Sequence, residues 1–176
     1  NYAWNTIERA INTLSDPEFI EFDTAAIPGL TNETLTDQLV VACEQRADAL
    51  AIIDLNGDYL PSSENTSDAV SRRPNLSTTI SNLRSRGINS SYGCAFYPWV
   101  LVRDTVSSGQ TIWMPPSVVA LGVMGNTETS GELWFAPAGF NRGGLSEGHA
   151  GVTVVGVRQT RSAKDRDKLD HQTINP

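Results

Sequence analysis

The fold of this chain is decided by the stretch from Tyr97 to Leu145, YPWVLVRDTVSSGQTIWMPPSVVALGVMGNTETSGELWFAPAGFNRGGL. It contains three of the four tryptophans and half of the 14 glycines, so large rigid side chains alternate with residues that dictate backbone angles. Between Asp104 and Glu128 it has no Asp, Glu, His, Lys, Arg or Cys. Because catalysis needs convergent titratable groups, this composition indicates a structural scaffold.

The same stretch predicts a strand followed by a buried helix. The strand, residues 94–102, must be bulged or lie at a sheet edge at Pro98, because proline has no N–H to donate to a ladder. Pro115 and Pro116 suit the first turn of a helix, and the apolar residues that follow surround the helix, which predicts burial. Gly122 and Gly125 would allow a neighbouring backbone to approach closely. The remaining predictions are a loop at 104–110, an extended piece at 112–114, a short strand at 132–135, an ordered loop at 136–151 and a strand at 151–157.

The N-terminal half predicts helices alternating with strands. Apolar residues spaced by three and four indicate helices, and the hydroxyl of Thr34 or Thr36 could cap the second of them. The continuous apolar run 49–53 indicates a strand buried on both faces of a parallel sheet, reached by a right-handed crossover. The predicted elements are helices at 3–14, from about 34 to 46 and at 75–86 (ended by Gly87), a strand at 19–27 and a surface loop at 61–75. The buried stripe of the second helix should be Leu35, Leu39, Ala42, Cys43 and Arg46.

These elements indicate an α/β fold, with α+β as the alternative. We expect a mixed, partly parallel sheet with helices packed on its faces, in a single compact domain spanning residues 1–176. Because the chain starts at Asn1 and stops at Pro176, we expect a piece of a longer protein that lacks its terminal arms. Residues 158–176 carry five bases, three acids and two large apolar residues, Leu169 and Ile174, which predicts a charged helical or extended arm.

Charge is divided unevenly along the chain. The formal net charge is -7, with 13 acids against two bases in residues 1–68 and 11 bases against seven acids in residues 69–176. One copy's acidic surface could therefore meet the next copy's basic surface, although both surfaces could equally be solvated. No basic and apolar leader or uninterrupted apolar span is present, so no membrane insertion is expected.

Candidate sites for chemistry are few. Asp54, Asn56 and Asp58 follow a predicted strand, where oxygen ligands could hold Ca²⁺, but an Asx turn explains them better because the EF-hand spacing is absent. His149 and His171 belong to no zinc or hydrolase motif, and the glycines of 139–151 lack phosphate-loop spacing. Cys43 and Cys94 lie in apolar surroundings without a CxxC, which predicts buried free thiols in a reducing cytoplasm. We therefore predict no enzymatic activity and no cofactor or metal.

Three motifs in order resemble the core of the contractile tail sheath proteins of bacteriophages: YPWVLVRD, MPPSVVALGVMGNTE and WFAPAGFNRGGL. The resemblance covers roughly residues 20–176 and includes AAIPGLT, CEQRADALAIID and the final INP. It implies a structural subunit of a sheath that surrounds the tail tube and contracts to drive the tube through a bacterial envelope. In the family, terminal arms exchange strands between neighbouring subunits.

The resemblance also implies partners and a location. The partners would be other sheath subunits, the tail tube protein, and the baseplate and tail terminator proteins, in a virion assembled in the bacterial cytoplasm. This piece alone would be monomeric. Nucleic acid is not expected as a partner, because acids interleave with the basic residues near the end. Those bases are a candidate inter-subunit or tube interface: Arg158, Arg161, Lys164, Arg166 and Lys168.

Two alternatives remain open from the sequence. The first is the sheath of a non-viral contractile injection system of the pyocin type, which would use the same domain. The second is a small α/β ligand-binding or hydrolytic domain centred on Asp54, Asp58 and Asp104, since ligands bind at the carboxyl ends of strands in open α/β sheets.

Overall fold

A computed structural model describes residues 2–56, 76–106, 109–132, 134–158 and 162–176. The predicted loop at 61–75 lies outside these ranges. The helices are α1 (Tyr2–Leu14), α2 (Glu33–Arg46), α3 (Leu76–Ser85), α4 (Pro116–Ser130) and α5 (Ala163–Asp170). The strands are β1 (Thr24–Ala26), β2 (Leu50–Asp54), β3 (Gly93–Phe96), β4 (Val100–Arg103), β5 (Thr111–Met114), β6 (Val154–Val157) and β7 (Ile174–Asn175).

The strands form two sheets, where the sequence predicted one mixed sheet. The first has the order β1-β2-β3-β7 and all its pairs are parallel, whereas the second has the order β5-β4-β6 and is antiparallel. The predicted strand at 94–102 is divided between them at Pro98, which follows a cis peptide bond. Because Pro98 cannot continue the ladder, the chain leaves one sheet and enters the other. The α/β class is confirmed.

Helices cover both faces of the parallel sheet. Ala51 and Ile53 of β2 belong to the main core together with the buried residues of α2, while Asp54 of the same strand bonds to α4. Since successive side chains of a strand point to opposite faces, α2 and α4 lie on opposite sides. The strand β2 is therefore buried on both faces, as its apolar run predicted. The predicted stripe of α2 is buried at all five positions, Leu35, Leu39, Ala42, Cys43 and Arg46.

Helix α4 connects the two sheets. It contacts β1, β2 and β3, and its Val119 and Val123 pack with Val100 and Val102 of β4 in a second apolar cluster. No residue from 116 to 124 is exposed, which confirms the predicted buried helix. A Cβ atom at Gly122 would lie 2.2 Å from the carbonyl oxygen of Ala150, so the predicted close approach is confirmed there. At Gly125 the prediction is wrong, because a Cβ atom would meet nothing within 4 Å.

Two buried arginines hold the helices of the main core together. The side chain of Arg46 donates from Nη1 to the carbonyls of Leu14, Asp16 and Ile20, at 3.0, 3.2 and 2.8 Å, and it forms a bidentate pair with Asp48. Arg86, which follows α3, donates from Nη2 to the hydroxyl of Thr36 (2.6 Å) and from Nε to Asp37 (2.9 Å). The ends of α1, α2 and α3 are therefore fixed by charge-assisted hydrogen bonds.

The predicted strand at 19–27 is largely wrong, since only Thr24–Ala26 is a strand. Residues 17–19 form a turn in which the Asp16 carboxylate accepts the N–H of Glu18. The carbonyl of Ile20, near the start of the predicted strand, is hydrogen-bonded to Arg46 and does not join a ladder. This side-chain donor therefore competes with strand pairing at the start of the segment.

Helix α2 begins at Glu33, before both of the predicted caps, Thr34 and Thr36. Its N-cap is Asn32, whose side-chain oxygen accepts the N–H of Leu35 at 3.1 Å. The hydroxyl of Thr36 instead donates back to the carbonyls of Asn32 and Glu33. Asparagine caps a helix better than threonine does, and Asn32 comes first along the chain. Helix α3 matches the prediction more closely, and Gly87 follows it at a φ of 64°, in the left-handed region.

The predicted strand at 132–135 is also absent, among its residues 132, 134 and 135 that the structure describes. The N–H of Phe135 bonds to the carbonyl of Glu132 at 2.9 Å, which closes a turn. Trp134 packs edge-on against Phe135, and Arg142 lies 4.1 Å over the Phe135 ring. These ring contacts stabilise the turn in place of a ladder.

The last residues contain a charged helix, as predicted, but they pack on the body and form no arm. Helix α5 starts at a capping box between Ser162 and Asp165, and β7 pairs with β3. Leu169 is 0% exposed and Ile174 is 1% exposed, and both belong to the main core. Because these two apolar residues are worth about 2 kcal/mol each when buried, the segment folds back onto the sheet.

Candidate functional site

The best-defined polar cluster of the described residues lies at the carboxyl end of β2. Asp54 is 1% exposed, and its Oδ1 accepts the backbone N–H of Ser117 at 3.0 Å. Its Oδ2 accepts the hydroxyl of Ser117 at 2.7 Å and the N–H of Gly29 at 2.9 Å. Helix α4 has no cap of its own at Pro115, so Asp54 supplies an acceptor for its first turn from another element.

This geometry corrects the sequence interpretation of Asp54. The carboxylate closes no Asx turn with the residues after it, because both oxygens accept hydrogen bonds from distant parts of the chain. Asn56 is exposed and Asp58 lies outside the described residues. Asp104 is on another element and accepts the N–H of Val106 at 3.0 Å. Asp54 therefore acts as a tertiary helix cap, which argues against a binding or hydrolytic centre built on it.

An apolar cleft of about 280 Å³ brings together the three stretches on which the family resemblance rests. Pro98 and Val100 come from the first stretch, Pro116 and Val119 from the second, and Pro137 from the third. The end of the chain, Asn175 and Pro176, also lines it. The cleft lies where the two sheets meet, so these stretches form one structural unit.

A second cavity, of about 250 Å³, lies between the end of α3 and strands β2 and β3 of the parallel sheet. Cys94 lines it together with Arg84, Gln172 and Thr173. Burial raises the pKa of the Cys94 thiol to about 11, and burial, the largest of several influences, also raises the pKa of Cys43. Cys43 is fully buried, as predicted, whereas Cys94 is half-buried. A thiol with a raised pKa is a poor nucleophile, because the thiolate is the reactive form.

The structure separates the predicted basic interface into two parts. Arg158 follows β6, and its guanidinium lies 5.3 Å over the ring of Trp113. Lys164, Arg166 and Lys168 are exposed on α5, where three aspartates balance their charge. Arg161 lies outside the described residues. Helix α5 thus presents no net positive charge.

The glycine-rich loop is ordered by hydrogen bonds within itself. The Nδ1 atom of His149 accepts the N–H of Gly144 at 3.1 Å, and the N–H of His149 donates back to the Gly144 carbonyl. The loop ends at Ala150, whose carbonyl rests on Gly122. His149 is therefore part of the loop's internal bonding. In the parts of the chain that the structure describes, no three or more His, Cys, Asp or Glu residues are grouped to hold a metal ion.

One surface was missed by the sequence analysis. Val100 and Val102 of β4 face α4, so Leu101 and Arg103 face the other way, next to Trp113 of β5 and Gly156 of β6. Neither Leu101 nor Trp113 belongs to a buried apolar cluster. The alternation in VLVR and TIWM indicates that each strand has two different faces. It does not show which face is covered until the position of α4 is known.

No protein-family model matches this sequence, and a search of curated proteins gave no significant match. Among the described residues, no helix is long and apolar enough to cross a bilayer.

Proposed function

We propose that this chain is the body of a structural subunit of a contractile tail sheath, which surrounds a tail tube and shortens to drive it through a bacterial envelope. The observation that carries the proposal is the convergence of the three resembling stretches. They are up to about 40 residues apart in sequence, yet Pro98, Pro116 and Pro137 line one cleft between the sheets. The three motifs on which the resemblance depends are thus packed together in space.

A subunit of a contracting sheath must rotate as a rigid body while its contacts with neighbouring subunits rearrange. Arg46, Arg86 and Asp54 supply buried, charge-assisted links between elements that are far apart along the chain. Gly122 lets the glycine-rich loop rest directly on α4. Such links favour rigid-body motion over internal deformation, because each would leave a buried polar group unpaired if it opened.

The partners follow from this role. They are other sheath subunits, the tail tube protein, and the baseplate and tail terminator proteins of the assembled particle. No cofactor is required, since the free energy of contraction would come from the difference between two assembled arrangements. The site of assembly would be the bacterial cytoplasm, where Cys43 and Cys94 stay reduced.

Electron microscopy of the complete gene product tests the proposal. Purified protein at increasing concentration and moderate salt is stained and imaged, alone and with the candidate tube protein encoded beside it. Hollow tubes of uniform width are expected, and the width should be larger in a contracted form. Protein that stays dispersed under all these conditions, with or without the tube protein, would refute the proposal.

A further inference from the structure

The antiparallel sheet has one face that no buried apolar cluster of the described residues covers. We call it the outer sheet face, and by alternation and register it consists of Leu101, Arg103, Thr111, Trp113, Gly156 and Arg158. The opposite face packs on α4 through Val100, Val102 and Val154. Two of the six residues are arginines and none is acidic. A sheet face with half-buried Leu101 and Trp113 beside two cations fits an acidic partner that has an apolar centre.

Helix α2 carries a surface with the opposite character. We call it the acidic helix face, and it consists of Glu33, Asp37, Val41 and Glu44, which recur at helical spacing away from the core. Glu33 and Glu44 are exposed, and Val41 is 47% exposed although it is apolar. Asp37 is paired with Arg86, whereas within the described ranges neither Glu33 nor Glu44 forms an ion pair.

The spacing of charges agrees between the two surfaces. Glu33 and Glu44 are 11 residues apart on a helix, about 16 Å at 1.5 Å per residue. Arg158 lies opposite Trp99, four residues from Arg103 along β4, so the two arginines are about 14 Å apart. Val41 lies between the glutamates, and Leu101 lies between the arginines. The two surfaces therefore match in charge, in spacing and in the position of an apolar centre.

We propose that the outer sheet face binds the acidic helix face of a second copy of this chain. The contact joins two different surfaces, and each copy of the chain carries both of them. The association therefore propagates head to tail as a ring or helix. As a contact between sheath subunits, this inference rests on the proposed function, and it names the two surfaces through which neighbouring subunits would bind. A contact of so few residues should associate weakly alone, since stable interfaces take about 20–30 residues a side, but many such contacts act together in a lattice.

A charge-exchange experiment tests this contact in the complete gene product. The first variant is R103E/R158E and the second is E33K/E44K. In each variant alone, the outer sheet face and the acidic helix face carry charges of the same sign, so every contact is repulsive. In an equimolar mixture, copies that alternate restore opposite charges at every contact. We expect each variant alone to need an about tenfold or higher concentration than the wild type to assemble, and the mixture to return to the wild-type concentration. Sedimentation and electron microscopy measure assembly, and circular dichroism melting checks folding.

Matched control variants reverse the same number of charges elsewhere. R9E/R84E and E18K/E21K change exposed residues outside both faces and should assemble at the wild-type concentration, alone or mixed. If the wild type forms tubes and both test variants do too, the contact is refuted and the sheath proposal stands. If the wild type stays dispersed but the two test variants bind each other in sedimentation velocity, the contact stands and the sheath proposal fails. Dispersed wild type with no binding in the mixture refutes both.

Discussion

The carboxylate of Asp54 and the hydroxyl of Ser117 are 2.7 Å apart, although the residues lie 63 positions apart in the chain. The same carboxylate accepts the Ser117 backbone N–H, and Ser117 is 0% exposed. The end of β2 is thereby joined to the first turn of α4, and through α4 to the antiparallel sheet. Asp54 therefore helps to link the two sheets of the molecule.

Replacing Asp54 should test that link. We expect D54A to lower the free energy of unfolding by about 2–4 kcal/mol, because it leaves the two buried donors of Ser117, and the backbone N–H of Gly29, without their acceptor. S117A removes only the hydroxyl bond and should cost about 1–2 kcal/mol. Urea denaturation followed by tryptophan fluorescence measures both. Equal stability of D54A and the wild type would show that Asp54 does not hold α4.

Arg46 should be more costly to replace than any surface arginine. Its side chain is fully buried, with three carbonyls, Asp48 and the ring of Phe22 around it. R46A should lower the free energy of unfolding by about 3–5 kcal/mol, since it removes the buried donor of three carbonyls and breaks an ion pair in which the arginine is fully buried. R46K keeps the positive charge but lacks the planar set of guanidinium donors, so it should recover only part of the lost free energy of unfolding. R9A, at an exposed position of α1, is the control and should change stability by less than about 0.5 kcal/mol.

The two glycines of α4 should respond in opposite directions to alanine. G122A places a methyl group where the Ala150 carbonyl already lies, so the glycine-rich loop must move and the protein should lose about 1–3 kcal/mol. G125A meets open space and should gain up to about 1 kcal/mol from helix propensity. Thermal melting of the two variants measures the contrast. A similar effect of both substitutions would contradict the contact between Gly122 and Ala150.

The reactivity of Cys94 should reveal its raised pKa. A thiol with a pKa of about 11 is almost wholly protonated at pH 8, so alkylation by iodoacetamide should be slow in the folded protein. The rate should keep rising about tenfold per pH unit beyond pH 9, where an ordinary thiol levels off. Mass spectrometry of the Cys94 peptide at pH 7 to 10 follows the rate, and a C43A variant isolates the site. A plateau near pH 9 would show that the thiol is not buried.

The basic residues of α5 remain a predicted interface and need a separate test. Reversing Lys164, Arg166 and Lys168 to glutamate gives the helix six acids in place of three, and sheath assembly of the complete gene product should weaken. The stability of the chain should change little, because the three side chains are exposed. Electron microscopy at several salt concentrations checks assembly. Unchanged assembly would remove α5 from the interface.

The sequence alone determined the elements that depend on local spacing. The buried stripe of α2 from Leu35 to Arg46 and the apolar run of β2 follow from periodicity, because a face that meets the core must repeat at the period of its element. The proline start of α4 and the left-handed Gly87 follow from backbone chemistry, which needs no partner. The structure confirms all four of these predictions.

The tertiary structure alone decided which elements meet. The sequence could not show that Pro98 divides a strand between two sheets, that Arg46 takes the carbonyls of residues 14, 16 and 20, or that Leu169 and Ile174 return to the core. Asp54 looked like a turn residue because its partners, Gly29 and Ser117, are 25 and 63 residues away. Long-range hydrogen bonds, and the return of two isolated apolar residues to the core, leave no periodic pattern in the sequence, so only the folded arrangement of the chain fixes them.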